Sequence, residues 1–237
     1  GETLEDIGSG AVITVDEIHT MERPDLNALA AALQAGTELG WPFAVVLAGL
    51  ASLRDTIAGV TYLERSEWHE VGFLDGGTTL AALMTPARQA GKPMDLAAAQ
   101  YLAEQSGGYP YAIQICGDSA WIEALDDDEI RLVHARGGTE RAEARMSAGL
   151  YASRWNQASN RERQYLVALA EELGDGLIPT GGSVAARLGG TAAQWSTYRA
   201  RLMNKGTIFA ESGVLHFAVP GLQRFVLSHA DELRTTT

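Results

Sequence analysis

The chain has a single cysteine, Cys116, among its 237 residues. One thiol excludes a disulfide framework and a C-x-x-C metal site, and it is the usage of a reducing compartment, expected to be the cytoplasm. Long apolar runs are lacking as well. The longest, residues 41–53, falls short of the roughly 20 residues that span a bilayer, so no membrane partner is expected. No secretory signal is visible, and the chain opens on Gly1 rather than Met, as expected of a portion of a longer product. The phosphate-binding loop G-x-x-x-x-G-K-[ST] occurs nowhere in the sequence. Cations are also short, with 18 Lys and Arg against 30 Asp and Glu, a net charge of −12. Residues 1–150 carry 9 against 23, or −14, and residues 151–237 carry 9 against 7, or +2. An acidic chain is no general nucleic-acid binder, but its C-terminal piece has shed that acidity.

What is present is a chain that can bury a core in two or three compact units, with 46% hydrophobic and 20% charged residues. The run Gly10-Ala11-Val12-Ile13-Thr14-Val15-Asp16-Glu17 is the most informative segment. An apolar, β-branched stretch without alternation predicts a parallel strand buried on both faces. Its two carboxylates then fall at the C-terminal end of the strand, where open α/β sheets place their ligands. Asp followed by Glu there suits nucleotide hydrolysis, the Asp holding the shell of a Mg²⁺ ion and the Glu orienting the attacking water. His19, two residues on, is expected as a surface or helix-start histidine rather than a nucleotide contact.

Pro24-Asp25 opens a helix with Leu26, Leu29, Ala30 and Leu33 on one face, stopped at Gly36 or Gly40. A second apolar run, residues 43–49, completes a right-handed βαβ unit. A shorter strand over residues 70–74 is expected to extend the sheet. From Thr78 the pattern is helical: a helix around Leu80, Leu83 and Met84, then residues 96–104 and 113–125. Asp126-Asp127-Asp128-Glu129 reads as a helix N-terminus, where carboxylates favour the dipole. Gly137-Gly138-Thr139 leads into a polar connecting helix through Trp155. Ser159 and Glu162 make a capping box, and helices follow over residues 159–173, 183–188 and 192–204. Two apolar runs around Glu211-Ser212-Gly213 predict a hairpin, and residues 220–229 add a closing helix.

These landmarks, in this order, resemble the C-terminal portion of an AAA+/STAND-type, origin-recognition-like P-loop ATPase, from the Walker B motif onward. The resemblance implies an α/β remnant of a P-loop NTPase core (parallel strands with helices) in residues 1–76. An all-helical lid with connector would follow in 77–150, and a winged helix-turn-helix domain in 151–237. It implies ATP and Mg²⁺ as cofactors of the full-length protein, with little binding to this chain alone. Asp16 and Glu17 become catalytic, Asp16 reaching the metal through water. Arg65, in Tyr62-Leu63-Glu64-Arg65, takes the place of an arginine that reaches a neighbouring subunit's phosphate, its alternative being a surface pair with Glu64 or Glu67. Gly108, Tyr109 and Pro110, in Gly107-Gly108-Tyr109-Pro110, match the lid's G-x-P element that packs on nucleotide, or else form a plain helix break. The strand over 43–49 occupies the sensor 1 position. It ends in Leu47-Ala48-Gly49-Leu50 without a polar side chain, Ser52 being the nearest hydroxyl.

In the recognition helix, Trp195, Tyr198 and Leu202 read as core, and Gln194, Thr197 and Arg201 as a polar stripe flanked by Ser196 and Arg199. With Lys205 these are the candidate contacts to double-stranded DNA. The first functional expectation is a nucleotide-dependent switch coupled to that DNA- or partner-binding domain. The alternatives are a non-catalytic winged-helix regulator and a protein-interaction adaptor. The apolar edge of the short sheet predicts a homodimer.

Overall fold

The computed structural model describes residues 8–50 and 53–234. Ser52, the expected sensor hydroxyl, lies outside the described residues. The chain divides into two compact units, residues 1–70 and 71–237.

In the first unit, β1 (Ala11–Val15) pairs in parallel with β2 (Phe43–Leu47), Ala11 opposite Phe43 and Val15 opposite Leu47. Helix α1 (Arg23–Glu38) connects them, with Pro24 at its first turn, where a missing N–H costs nothing. Short helices α2 (Leu53–Ile57) and α3 (Thr61–Glu64) follow. The core is Ile18, Leu26, Ala30, Leu33, Leu53, Ile57, Val60 and Leu63, with Val15, Phe43, Val45 and Leu47 packed onto it. Gly36 sits inside α1 rather than ending it, because a side chain there would collide with the Phe43 ring, 2.8 Å from a Cβ.

One expectation fails in this unit and another at the start of the second. The strand β1 is not buried on both faces: Val12 is 71% and Val46 56% exposed. Residues of one parity face α1, and the other parity, Val12, Thr14, Ala44 and Val46, is open to solvent. Residues 70–74 also form no strand. Their main chain is held by one bond, from Leu74 N to Gly108 O at 2.8 Å, and Val71 is 94% exposed. An apolar alternation without a neighbouring strand has nothing to pair with.

The second unit begins with α4 (Gly76–Gln89), α5 (Leu96–Ser106), α6 (Pro110–Glu123) and α7 (Leu132–Met146). Asp75 and Asp95 cap α4 and α5 by accepting from the amides of Thr78 and Ala98. The acidic run 126–129 is a turn, not a helix start. Asp127 is drawn to Arg131 at 2.7 Å and His134 at 3.3 Å, and the helix begins only at Leu132. Gly137 and Gly138 lie within α7 instead of preceding a helix. Gly138 permits α7 to touch α6, since a Cβ would stand 2.8 Å from the Ala120 amide nitrogen.

A π-helical turn (Ser147–Tyr151) and α8 (Ala152–Asn156) lead to α9 (Asn160–Gly174), α10 (Gly181–Arg187) and α11 (Ala192–Asn204). The antiparallel hairpin β3 (Ile208–Glu211) and β4 (Val214–Phe217) follows, then α12 (Leu222–Ser228) and α13 (Ala230–Arg234). One hydrophobic core runs through the unit from Leu83 to Val226, so the helices of 77–150 and the elements of 151–237 share it.

The capping box of α9 is formed as expected: Ser159 N donates to Glu162 Oε2 at 2.7 Å and Glu162 N to Ser159 Oγ at 3.4 Å. Lys205 Nζ closes on the same carboxylate oxygen at 2.8 Å. Burial pushes the Glu162 carboxyl up, but hydrogen bonds from Lys205 and Ser159 outweigh it, and the net pKa lies below the ordinary 4.5. A carboxyl lowered in the folded state stabilises above its unfolded pKa and stops doing so as pH falls through the folded value. Glu162→Gln should therefore lower Tm at neutral pH, and the gap from wild type should close below about pH 4. A gap of constant size from pH 3 to 7 would contradict the ion-pair account.

Candidate functional site

The two strands of the first unit end together. Ala48 N donates to Val15 O at 2.8 Å and Ile18 N to Ala48 O at 3.0 Å, and Ile18 is fully buried. Asp16 and Glu17 are lifted out at that edge and both are exposed. Glu17 adopts a left-handed backbone, φ 54° and ψ 29°, uncommon for a residue with a Cβ. The turn is held because Asp16 Oδ1 accepts the Glu17 amide at 2.8 Å and Glu17 O accepts from Thr20 N at 2.9 Å and Thr20 Oγ1 at 2.8 Å. The two carboxylates thus stand on one hydrogen-bonded turn at the strand end.

His19 stands in a single 3-10 turn, Ile18–Thr20, as the helix-start reading expected, but it is not at the surface, its side chain being 11% exposed. Its Nε2 lies 3.4 Å from Glu17 Oε2, and its Nδ1 accepts the Leu50 amide at 3.3 Å. The only sequence signal was the spacing of two residues after Glu17, which does not say where the ring turns.

Arg65 follows α3 and is exposed. It lines a surface dent of about 260 Å³ with Gln34, Thr37, Glu38, Thr61 and Tyr62. The Tyr62 hydroxyl lies 2.6 Å from Thr37 Oγ1 and fixes this corner. Helix α1 leaves the C-terminal end of β1 and returns to the start of β2, so Thr37 and Glu38 mark the opposite edge of the sheet from Asp16. Five strand residues, about 15 Å, separate the two edges. Arg65 and the carboxylates of its own chain are not brought together. The alternative pairing also fails: Glu64 Oε1 takes the Gly59 amide at 2.6 Å, Glu67 lies 3.4 Å from His69, and among the described residues Arg65 joins no ion pair.

In the second unit Gly107 ends α5 with φ 56° and Pro110 opens α6. Gly108 has φ 74°, and a Cβ on it would stand 2.3 Å from Leu74 O. The close approach expected between this glycine and a nucleotide is made here to residue 74 of the chain itself. Tyr109 is half-buried, edge-on to Phe73 with ring centroids 5.9 Å apart, and Pro110 is exposed.

On α11, Trp195 and Leu202 are buried and Tyr198 packs against the core, as expected. The polar stripe is partly occupied. Gln194 Oε1 accepts the Thr191 amide at 2.8 Å, Ser196 Oγ donates to Ala193 O at 2.7 Å, and the Arg199 guanidinium lies over Gly181. Thr197 and Arg201 are exposed. Lys205 is held by Glu162 and by Gln157 O, 2.8 Å each.

The comparisons with known proteins can be set against this geometry. A family model described as a domain of unknown function, DUF8462, matches residues 148–226, less than half of the chain. No curated protein matches. A Walker-type ATPase of Pyrococcus abyssi aligns over 95% of this chain and 65% of its own, with TM-score 0.62 and 19% identity. RuvB of Thermotoga maritima, described as a Holliday junction branch migration motor, aligns over 87% and 66%, with TM-score 0.52 and 18% identity. A variant of that RuvB covers 91% of this chain and 71% of its own, at TM-score 0.53 and 18% identity. The fold is that of P-loop ATPases. At these identities the likeness is one of fold, and the site must be judged on its own residues. Asp16 and Glu17 fit the metal-and-water side of such a site. The phosphate side has no counterpart motif in the 237 residues, and no group of three or more His, Cys, Asp or Glu among the described residues could hold a metal alone. Among the described residues no helix is long and apolar enough to cross a membrane.

Proposed function

We propose that residues 8–70 are the Walker B-bearing half of an ATP-hydrolysing site of the AAA+/STAND, origin-recognition-like kind, serving as a nucleotide-dependent switch. The observation that carries this reading is the Asp16–Glu17 pair in a rigid turn at the C-terminal edge of a parallel βαβ unit. In the complete site Asp16 holds the Mg²⁺ water shell and Glu17 orients the water that attacks the γ-phosphate. Arg65, at the opposite edge of its own sheet, suits action on a neighbouring subunit's phosphate, and the free edges of the two-stranded sheet suit assembly with a second copy. The phosphate loop is supplied by sequence outside this chain.

The readout element in this proposal is a winged helix made of α9, α10, α11 and the hairpin. Between duplex DNA and a protein partner we favour the protein, because most of the basic groups named here are engaged, Arg201 of α11 staying exposed. Lys205 is engaged by Glu162, Arg187 by Glu171 and Asp175, and residues 207–219 of the hairpin contain no Lys or Arg. Phosphate contacts need free cations.

Calorimetric titration of Mg-ATP tests the split site. The 237-residue chain should show no saturable heat up to about 1 mM, whereas the longer product carrying a G-x-x-x-x-G-K-[ST] should bind with a Kd in the micromolar range, about −8 kcal/mol. Tight binding by the 237-residue chain alone would overturn the division of the site.

A further inference from the structure

We propose that His19 is a positioning residue that ties the Glu17 carboxylate to the end of β2. The inference rests on the reading of Glu17 as the water-orienting carboxylate. Its elements are all in the first unit. Main-chain bonds between Val15, Ala48 and Ile18 lock the two strand ends side by side, and the buried Ile18 fixes the residue that follows it. His19 is thereby held against Gly49-Leu50. Its Nδ1 accepts the Leu50 amide at 3.3 Å, so the proton of the neutral ring resides on Nε2, and that edge faces Glu17 Oε2 at 3.4 Å.

The contact matters because Glu17 is otherwise free beyond its Cβ. Its backbone is pinned by Asp16 and Thr20, yet its side chain is 68% exposed. A carboxylate that orients a water must keep one rotamer, and a buried donor is what limits the choice. The imidazole places its Nε2 within 3.4 Å of the carboxylate from a fixed position, since it is itself oriented by the main chain at the end of β2, and in the proposal it is this nitrogen that limits the carboxylate.

Gly49 is the second part of the device. A Cβ at this position would lie 3.3 Å from His19 Nδ1, 3.3 Å from Ile18 Cγ2 and 3.2 Å from Leu53 Cδ2. The missing side chain lets the ring approach the strand end closely enough to accept the Leu50 amide. The run Leu47-Ala48-Gly49-Leu50, which has no polar side chain to offer, thus contributes a main-chain N–H, and His19 relays its position to Glu17. Any shift of this strand end is passed to the carboxylate through one ring.

Two measurements test the proposal separately from the hydrolase reading. The first uses the 237-residue chain with ¹⁵N-labelled histidine, the His19 signals being assigned by their loss in His19→Gln among the chain's five histidines. The ring of His19 should be protonated on Nε2 and not on Nδ1. Glu17→Gln should shift the Nε2 signal, and Gly49→Ala should shift Nδ1. A proton on Nδ1, or an Nε2 signal indifferent to Glu17→Gln, overturns the proposal whether or not the protein hydrolyses ATP. The second is steady-state turnover by the full-length product. His19→Ala should lower kcat about 10–100-fold with KM little changed, and His19→Gln, which retains an N–H donor, should recover part of it. If Glu17→Gln abolishes turnover while His19→Ala leaves kcat intact, the positioning role fails and the hydrolase reading stands. If Glu17→Gln is silent, the hydrolase reading fails, and with it the purpose assigned to the relay.

Discussion

Gly108→Val should destabilise residues 71–237 by about 2–6 kcal/mol and lower Tm by roughly 10 °C. Two costs add. A β-branched residue does not tolerate the left-handed backbone at φ 74°, a strain of about 1–3 kcal/mol. Its Cβ would also sit 2.3 Å from Leu74 O, and Leu74 is anchored there by its amide, 2.8 Å from Gly108 O. Relief of the clash must move residues 73–75 or the start of α6, an overpacking cost of about 1–3 kcal/mol. Gly107→Ala is the control. It shares the positive φ, but its Cβ would meet the Pro220 ring at 3.3 Å rather than a main-chain oxygen at 2.3 Å, so a smaller loss of about 1–2 kcal/mol is expected. Thermal melts monitored by circular dichroism measure both. A Gly108→Val protein melting within 2 °C of wild type would show that the contact to Leu74 is dispensable.

That result bears on what a sequence can disclose. Elements defined by their own residues were legible: the apolar run of β1, Pro24 at the start of α1, the capping box of Ser159 and Glu162, the hairpin around Ser212-Gly213. Each is decided by neighbours within four residues. What was not legible depended on partners far along the chain. Residues 70–74 alternate like a strand but meet no strand, and the acidic run 126–129 has helix-start chemistry but folds as a turn that pairs Asp127 with Arg131 and His134. Gly137 and Gly138 look like a break, yet the helix continues because Gly138 lies against Ala120 of α6. The unbroken hydrophobicity of β1 signals a strand with cover on two sides, whereas α1 covers one.

The candidate site divides in the same way. Asp16 and Glu17 were placed at a strand end by their immediate context, and they stand there. The partner of Glu17 was hidden, because a histidine two residues on turns inward only when Leu50, 31 residues later, offers its amide. Lys205 looked like a free cation on a polar helix end until the fold set it beside Glu162. Residue type at a position was readable, and the question of which charges were already neutralised was not.

The largest kinetic effect is expected at Glu17. Glu17→Gln keeps the size and the hydrogen-bonding reach of the side chain but removes the charge to which the proposal assigns the orienting of a water. The residue is exposed, so stability should change by no more than about 0.5 kcal/mol. Turnover, by contrast, should fall about 10²–10⁴-fold, the usual span for loss of a positioned acid or base. ATP affinity should persist, because the nucleotide's binding energy is spent on phosphate contacts that Glu17 does not make. The decisive measurement is Mg²⁺-dependent ATP hydrolysis by the full-length protein, wild type against Glu17→Gln, with ATP binding followed in the same preparations. The account predicts a variant that binds ATP as wild type does and turns it over at least about 100-fold more slowly; equal turnover by the two proteins would contradict it.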